Sequence, residues 1–203
     1  MTFGLMLQAG KLVVLDAGHG GFDPGAIGRV TGVEEDELNL AVANALAELL
    51  EARGYRVLKT RSDDKAIAGT KVMDMDRRRD IIEKSGADAA ISIHMNAIQQ
   101  GTVRGPVAIY YEGSDEGKLL AQCMQRALNE SLMPPKPKQA ASGSYFILKA
   151  GSMPSCIVEC GFLTNAEEER LLMEADYQQQ VALAIADGLD AYFANGVLPA
   201  PQP

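Results

Sequence analysis

The chain has 203 residues, of which 47% are hydrophobic and 23% charged, and its formal net charge is −8. This length and composition predict a globular domain with a substantial core. The acidic balance argues against a nucleic-acid-binding protein, because such binding depends on Lys and Arg neutralising phosphates. No stretch approaches the roughly 20 apolar residues that a membrane span requires.

We expect a single domain over residues 1–203, with a folded core at about 11–194 and a disordered, proline-rich tail at 197–203. The first residues lack the basic start and long apolar run of a signal peptide, so no export signal is predicted in this chain.

Strands and helices alternate along the first half of the chain. A buried strand at residues 11–16 ends in a glycine-rich turn, and a helix follows whose apolar side chains recur every three or four residues. The patterns predict, in order, this helix at 36–54, a strand at 55–61, a loop at 62–74, a helix at 75–87 and an apolar strand at 88–94.

The second half continues the alternation. It contains a predicted strand at 107–112, an amphipathic helix at 115–132, a proline-rich surface loop at 133–144, strands at 145–149 and 155–162, and two closing helices at 165–174 and 177–194. Asn165 is a suitable N-cap for the first closing helix. The alternation predicts an α/β fold: a single-domain, three-layer sandwich with a mostly parallel mixed sheet flanked by helices.

The three cysteines are predicted to be reduced and buried. Cys156 and Cys160 are four residues apart, and in a strand their Cα atoms would be about 13 Å apart, too far for a disulfide.

The two histidines of the chain, His19 and His94, each follow or end a predicted strand. If the two strands are neighbours in a parallel sheet, both imidazoles lie at the edge where ligands usually bind. A pair of imidazoles at one edge is suited to zinc. The alternative is that each is an ordinary hydrogen-bonded loop histidine.

A catalytic zinc usually has three protein ligands, so Asp, Glu or Cys would have to complete the set. The acidic run at 34–37 lies at the start of the first long helix, and a helix that starts after a strand-end loop lies at the same sheet edge as His19. Carboxylates also favour a helix N-terminus for electrostatic reasons alone, and the spacing does not choose a ligand among them.

Glu159 lies in an otherwise apolar strand. An apolar environment raises the pKa of a carboxyl, as a general acid or base near neutral pH requires. The alternatives are an exposed edge position or an ion pair with an arginine. Ser92 and Cys160 are better explained by packing than as nucleophiles, and the basic run at 77–80 is interpreted as a solvated helix face, with substrate contact as its alternative.

Four ordered motifs resemble those of the zinc-dependent N-acetylmuramoyl-L-alanine amidases of the amidase-3 type. They are "LDAGHGGFDPGAIG", "GVEEDELNLAVANAL", "SIHMNA" and "PSCIVECGFLTNAEEERLL". The resemblance covers nearly everything from residue 13 to 193. It implies that His19, Glu35 and His94 are the zinc ligands, with one Zn²⁺ per chain. Glu35 is preferred to Glu34 by counting back from the shared "NL" at 39–40.

The resemblance also implies that Glu159 is the catalytic carboxylate, and it identifies no substrate-binding residues. Two positions differ from the family pattern: Asp36 stands where a basic residue is usual, and Met95 where a small one is usual. The segments around residues 103–125 and 145–162 look most like the spore-cortex, germination-specific branch.

The implied reaction is hydrolysis of the peptidoglycan amide between N-acetylmuramic acid and L-alanine by zinc-activated water, and the likeness to the spore-cortex branch implies a role in spore-cortex maturation. Two alternatives stay open: a zinc exopeptidase acting on free peptides, and a non-catalytic module that binds cell-wall fragments. The expected partners are peptidoglycan strands and an activator or anchoring protein. The expected location is extracytoplasmic, in the cell envelope or the spore intermembrane space.

Overall fold

The computed structural model describes residues 10–195, so the proline-rich tail predicted at 197–203 lies outside the described residues. Within this range the chain forms six strands and five α-helices. In chain order they are β1 (Leu12–Ala17), α1 (Glu35–Ala52), β2 (Arg56–Lys59), α2 (Lys71–Lys84), β3 (Ala89–Asn96), β4 (Val107–Tyr111), α3 (Asp115–Leu132), β5 (Ala141–Gly143), β6 (Ser155–Phe162), α4 (Ala166–Met173) and α5 (Ala175–Asn195), with a 3₁₀ helix at Ile147–Lys149 before β6.

The strands form one six-stranded sheet in the order β2-β1-β3-β6-β4-β5. All neighbouring pairs are parallel except β4 and β6, which are antiparallel. The predicted mixed, mostly parallel sheet is therefore confirmed. Because β1, β3 and β6 run in the same direction, their carboxyl ends meet at one edge, which is where such sheets usually bind ligands.

Two hydrophobic clusters, one on each face of the sheet, make the sandwich three-layered. Side chains alternate along β1, so Val13 and Leu15 join the larger cluster while Val14 joins the smaller one. Helices α1, α3 and α5 supply the larger cluster. Helix α2 and the 3₁₀ helix cover the opposite face, chiefly through Ile82 and Ile147.

Side-chain caps define where three helices begin. Thr70, Ser114 and Asn165 each occupy an N-cap and accept hydrogen bonds from backbone N–H groups of the first turn. The expectation for Asn165 is confirmed. Thr70 extends α2 four residues further towards the N-terminus than the predicted start at residue 75, into a segment that the sequence indicated as loop.

The predicted strand at 145–149 is wrong, because this segment turns into the 3₁₀ helix. Ile147 and Leu148 are both buried in the smaller cluster, whereas consecutive residues of a strand would point to opposite faces. The predicted surface loop at 133–144 also contains the short edge strand β5. Cys123, Cys156 and Cys160 are free and buried, as expected.

Candidate metal centre

His19 lies in the glycine-rich turn after β1 with a backbone φ of 61°, in the left-handed region that residues with a Cβ rarely adopt. The neighbouring glycines do more than permit the bend of the chain, because their missing side chains leave space for His94 and Glu35. A Cβ at Gly18 would lie 2.2 Å from Cε1 of His94, and one at Gly25 would lie 2.5 Å from Oε2 of Glu35. Glycine at these positions lets the candidate ligands pack directly against the turn.

The structure brings His19, Glu35 and His94 together. Oε1 of Glu35 is 3.3 Å from Nε2 of His19 and 2.9 Å from Nδ1 of His94. The two imidazole rings are nearly perpendicular, with centroids 5.0 Å apart. One potential ligand atom from each residue lies within 4.8 Å of the other two, so the three side chains can converge on a single ion.

Glu35 is held by its place at the start of α1. Its Oε2 accepts a hydrogen bond from the backbone N–H of Ala26 at 2.8 Å, and its Oε1 accepts one from that of Met95 at 3.1 Å. Burial opposes ionisation, but hydrogen bonding to His19 and His94 outweighs it and holds the pKa of the Glu35 carboxyl well below its usual range.

The rest of the acidic run points elsewhere. Glu34 and Glu37 are exposed, and Asp36 is buried behind the turn with its Oδ1 unpaired among the described residues. Of the four acids that the spacing left open, Glu35 is the one whose carboxylate meets both imidazoles.

Glu159 lies beside this group on the neighbouring strand. It is the register partner of His94 where β3 pairs with β6. Its Oε2 is buried and has no hydrogen-bond partner among the described residues, so it is neither at an exposed edge nor paired with an arginine. Burial raises the pKa of this carboxyl. A buried carboxylate that keeps an unpaired oxygen is available to accept a proton.

All four residues line one cleft of about 480 Å³. Met95, which differs from the usual small residue, lines it too and is itself buried. Phe22, Tyr145 and Phe146 also border the cleft, and about half of each side chain is exposed. The cleft therefore combines a polar floor with an aromatic rim.

Two arginines behind the turn were not identified from the sequence. Arg78 is 2% exposed and forms ion pairs with Asp16 and Asp74, so the interpretation of the run at 77–80 as a solvated helix face is wrong for this residue. Arg61 is also buried. A signal for Arg78 was available in Asp74, four residues earlier on the same helix face, but nothing in the sequence marks Arg61.

Ser92 and Cys160 lie outside the candidate chemistry. The Ser92 hydroxyl donates a hydrogen bond to Asp16 at 2.6 Å, and Cys160 is fully buried, which raises the pKa of its thiol. Both observations agree with structural roles.

The sequence profile of a family described as N-acetylmuramoyl-L-alanine amidase matches residues 13–191. The chain belongs to this family. Peptidoglycan hydrolysis as an N-acetylmuramoyl-L-alanine amidase is the function that this membership and the relatives below support.

The chain is 33% identical over 195 residues to the germination-specific N-acetylmuramoyl-L-alanine amidase of Bacillus subtilis, covering 92% of this chain and 81% of the relative. It is 29% identical over 227 residues to the amidase AmiA of Escherichia coli, covering 90% of this chain and 76% of AmiA. The solved structure of the CwlD amidase from Clostridioides difficile in complex with the GerS lipoprotein matches with a TM-score of 0.86 and 33% identity, over 90% of this chain and 98% of that one. These similarities are consistent with the spore-cortex branch.

None of the helices between residues 10 and 195 has the length and apolar character that a bilayer crossing needs.

Proposed function

We propose that this amidase works with one zinc ion per chain, held by His19, Glu35 and His94, and that Glu159 transfers the proton during hydrolysis. The observation that supports this most strongly is the register pair of His94 and Glu159. Through it, a carboxylate with an unpaired oxygen faces the same cleft as three candidate ligands.

The donor set fits zinc. Two imidazoles and one carboxylate are common ligands of catalytic zinc sites, which keep a further position open. The low pKa of Glu35 keeps this carboxyl ionised at neutral pH, and the ligand atoms converge beside the cleft. When bound, zinc lowers the pKa of water and polarises the scissile carbonyl.

Glu159 then has a defined task. Its Oε2 accepts a proton from the attacking water, and the same oxygen returns that proton to the leaving amine of L-alanine. The raised pKa of the Glu159 carboxyl suits it to both transfers. The 480 Å³ cleft that Glu159 lines gives the reacting amide room beside this carboxyl.

We also propose that the enzyme acts outside the cytoplasm, in the cell envelope or the spore intermembrane space, on spore-cortex peptidoglycan. The relative named as germination-specific supports the cortex role. An activator or anchoring protein is part of this proposal, because CwlD was solved with the GerS lipoprotein and a net charge of −8 gives this chain no general attraction to an anionic polymer.

The first experiment measures metal content by mass spectrometry beside digestion of purified muropeptides. We expect one zinc per wild-type chain, little in His94→Ala, and new N-terminal alanine released by the wild type. Glu159→Gln should retain zinc and lose hydrolysis, and Glu48→Gln, which changes an exposed carboxylate of α1, should behave as the wild type.

The alternatives give different results. Cleavage of peptides that carry no muramic acid, in preference to muropeptides, would indicate an exopeptidase. Tight binding of muropeptides with no cleavage in the presence of zinc would indicate a binding module. Near-normal hydrolysis by Glu159→Gln would refute the role given to that residue.

A further inference from the structure

The guanidinium of Arg61 hydrogen-bonds to backbone carbonyls behind the candidate metal centre. The side chain is 4% exposed. Its Nε donates to the carbonyl of Ala17 at 2.9 Å, and its Nη2 donates to the carbonyls of Gly18 at 3.0 Å and Asp36 at 2.7 Å. Its Nη1 donates to the carbonyl of Asp63. All of these acceptors are backbone carbonyls, so Arg61 connects the turn after β1 to the start of α1 and to the loop after β2.

Arg78, on α2, hydrogen-bonds to the same turn. Its Nη1 donates to the carbonyl of Ala17 at 2.6 Å and to Oδ1 of Asp16 at 2.8 Å, and its Nη2 donates to the carbonyl of His19. Its Nε is bonded to Asp74 at 2.6 Å. Together the two arginines hold three consecutive carbonyls, those of residues 17, 18 and 19.

This arrangement connects the turn that carries His19 to the segments that carry Glu35 and His94. His19 has a positive φ, which a non-glycine residue retains only when its surroundings impose it. The Arg61 bond to Asp36 connects the turn to the first residues of α1, where Glu35 lies. Asp16, which Arg78 contacts, also accepts the Ser92 hydroxyl two residues before His94 on β3.

We propose that Arg61 and Arg78 are positioning residues for the metal centre: by holding the carbonyls of residues 17–19 and of Asp36, they fix His19 and Glu35 relative to each other before the metal binds. This inference rests on the zinc site put forward under Proposed function. A guanidinium suits the task because it presents five donors in a rigid fork, whereas a lysine offers one compact ammonium group. The zinc affinity of the chain is therefore set partly by side chains that never touch the metal.

The test compares zinc affinities of the wild type, Arg61→Lys and Arg78→Lys by competition with a chromophoric chelator. Loss of supporting contacts around metal ligands typically weakens binding about 10–100-fold, and we expect that range for both variants. The matched control is Arg53→Lys, which alters an arginine paired with Asp187 and Asp190 away from the cleft. Its zinc affinity should equal that of the wild type.

A second readout separates positioning from general stability. The visible absorption of the Co²⁺-loaded proteins reports ligand geometry, and it should change in Arg61→Lys and Arg78→Lys but not in Arg53→Lys. Thermal unfolding in the presence of chelator measures the metal-free fold. Lower thermal stability of the arginine variants with unchanged zinc affinity and Co²⁺ spectra would overturn the proposal in favour of a purely structural role.

A third measurement needs no variant, in case a substitution prevents folding. The backbone amides of Gly18 and Gly20 in this turn donate to the carbonyls of Ile93 and Asp23, and the proposal holds that the arginines keep the turn in place without a metal. We expect their hydrogen exchange to be equally slow with and without zinc. A large zinc-induced gain in protection would show that the metal orders the turn and would refute positioning by the arginines. A wild type that binds no zinc would instead refute the metal centre itself.

Discussion

Nδ1 of His19 lies 3.0 Å from Oδ2 of Asp23, four residues along the same turn. With a metal bound, this contact would hold the ring proton on Nδ1 and leave the lone pair of Nε2, on the side of Glu35, for the ion. A carboxylate bonded to the far side of an imidazole fixes its tautomer and orientation and makes it a better metal ligand. Lys71 contacts the same oxygen of Asp23 from the exposed side.

Asp23→Ala is therefore expected to weaken zinc binding by about 10–100-fold, measured by chelator competition. Asp23→Asn should lose less zinc affinity, because its amide oxygen can still accept the hydrogen bond from Nδ1 of His19. Lys71→Ala, which removes only the exposed partner of Asp23, serves as the control and should bind zinc as the wild type does. Equal affinities for Asp23→Ala and the wild type would contradict this account of His19.

Gly18→Ala should disrupt the metal centre although it replaces none of the candidate ligands. The added methyl group would lie 2.2 Å from Cε1 and 2.3 Å from Nε2 of His94, so the imidazole must move. We expect zinc content by mass spectrometry to fall well below one ion per chain. Gly69→Ala is the matched control, because a Cβ there meets nothing within 4 Å and the backbone does not have a positive φ. A zinc-replete Gly18→Ala would exclude close packing of His94 on this turn.

Glu169 on α4 supports the loop that follows the glycine-rich turn. It is fully buried and accepts hydrogen bonds from the backbone N–H groups of Val30 and Thr31 and from the Thr31 hydroxyl. Glu169→Ala leaves these donors unpaired and should lower the free energy of unfolding by about 2–4 kcal/mol, measured in urea. Glu167→Ala, which removes an exposed ion pair with Arg104, should cost less than about 1 kcal/mol. Similar losses in both variants would contradict the prediction.

The lowered pKa of Glu169 leads us to expect that stability depends on pH. Burial opposes ionisation of Glu169, but its hydrogen bonds to Thr31 and Val30 prevail and lower the pKa of the carboxyl in the folded state. A group whose pKa is lowered on folding contributes stability above its unfolded pKa, about 4.3 for Glu, and loses it as the pH falls through the folded value. Urea unfolding from pH 7 to pH 3 should thus show a steeper loss for the wild type than for Glu169→Gln. Parallel curves would contradict the lowered pKa.

The sequence predicted those elements whose local signals agree with their packing. Helix α3 and strand β6 have the predicted bounds, since a capping serine precedes the first and the second is apolar along most of its length, with Glu159 as the charged exception. The strand prediction for the segment containing Ile147 and Leu148 was wrong because a short apolar run does not distinguish a strand from a turn of helix. Which face it buries is decided by α2, far away in the sequence.

The site followed a similar division. Parallel strands predict that residues after β1 and β3 meet at one edge, so the juxtaposition of His19 and His94 was within reach of the sequence. Spacing alone did not choose Glu35 over its acidic neighbours, because the choice depends on how α1 is rotated towards Ala26 and Met95. Only the resemblance to the family motif pointed to it. Arg78 was misjudged because its burial requires Asp16, 62 residues away in the chain.

Among residues 10–195, β6 is the last strand in chain order, yet it occupies the interior of the sheet between β3 and β4. Until it enters, the β2-β1-β3 and β4-β5 groups share no ladder of hydrogen bonds. The two groups of strands can therefore be joined only after the chain has been synthesised through residue 162. The strand that joins them also carries Glu159. A truncated chain that lacks β6 would therefore lose both the continuity of the sheet and the proposed catalytic carboxylate in one step.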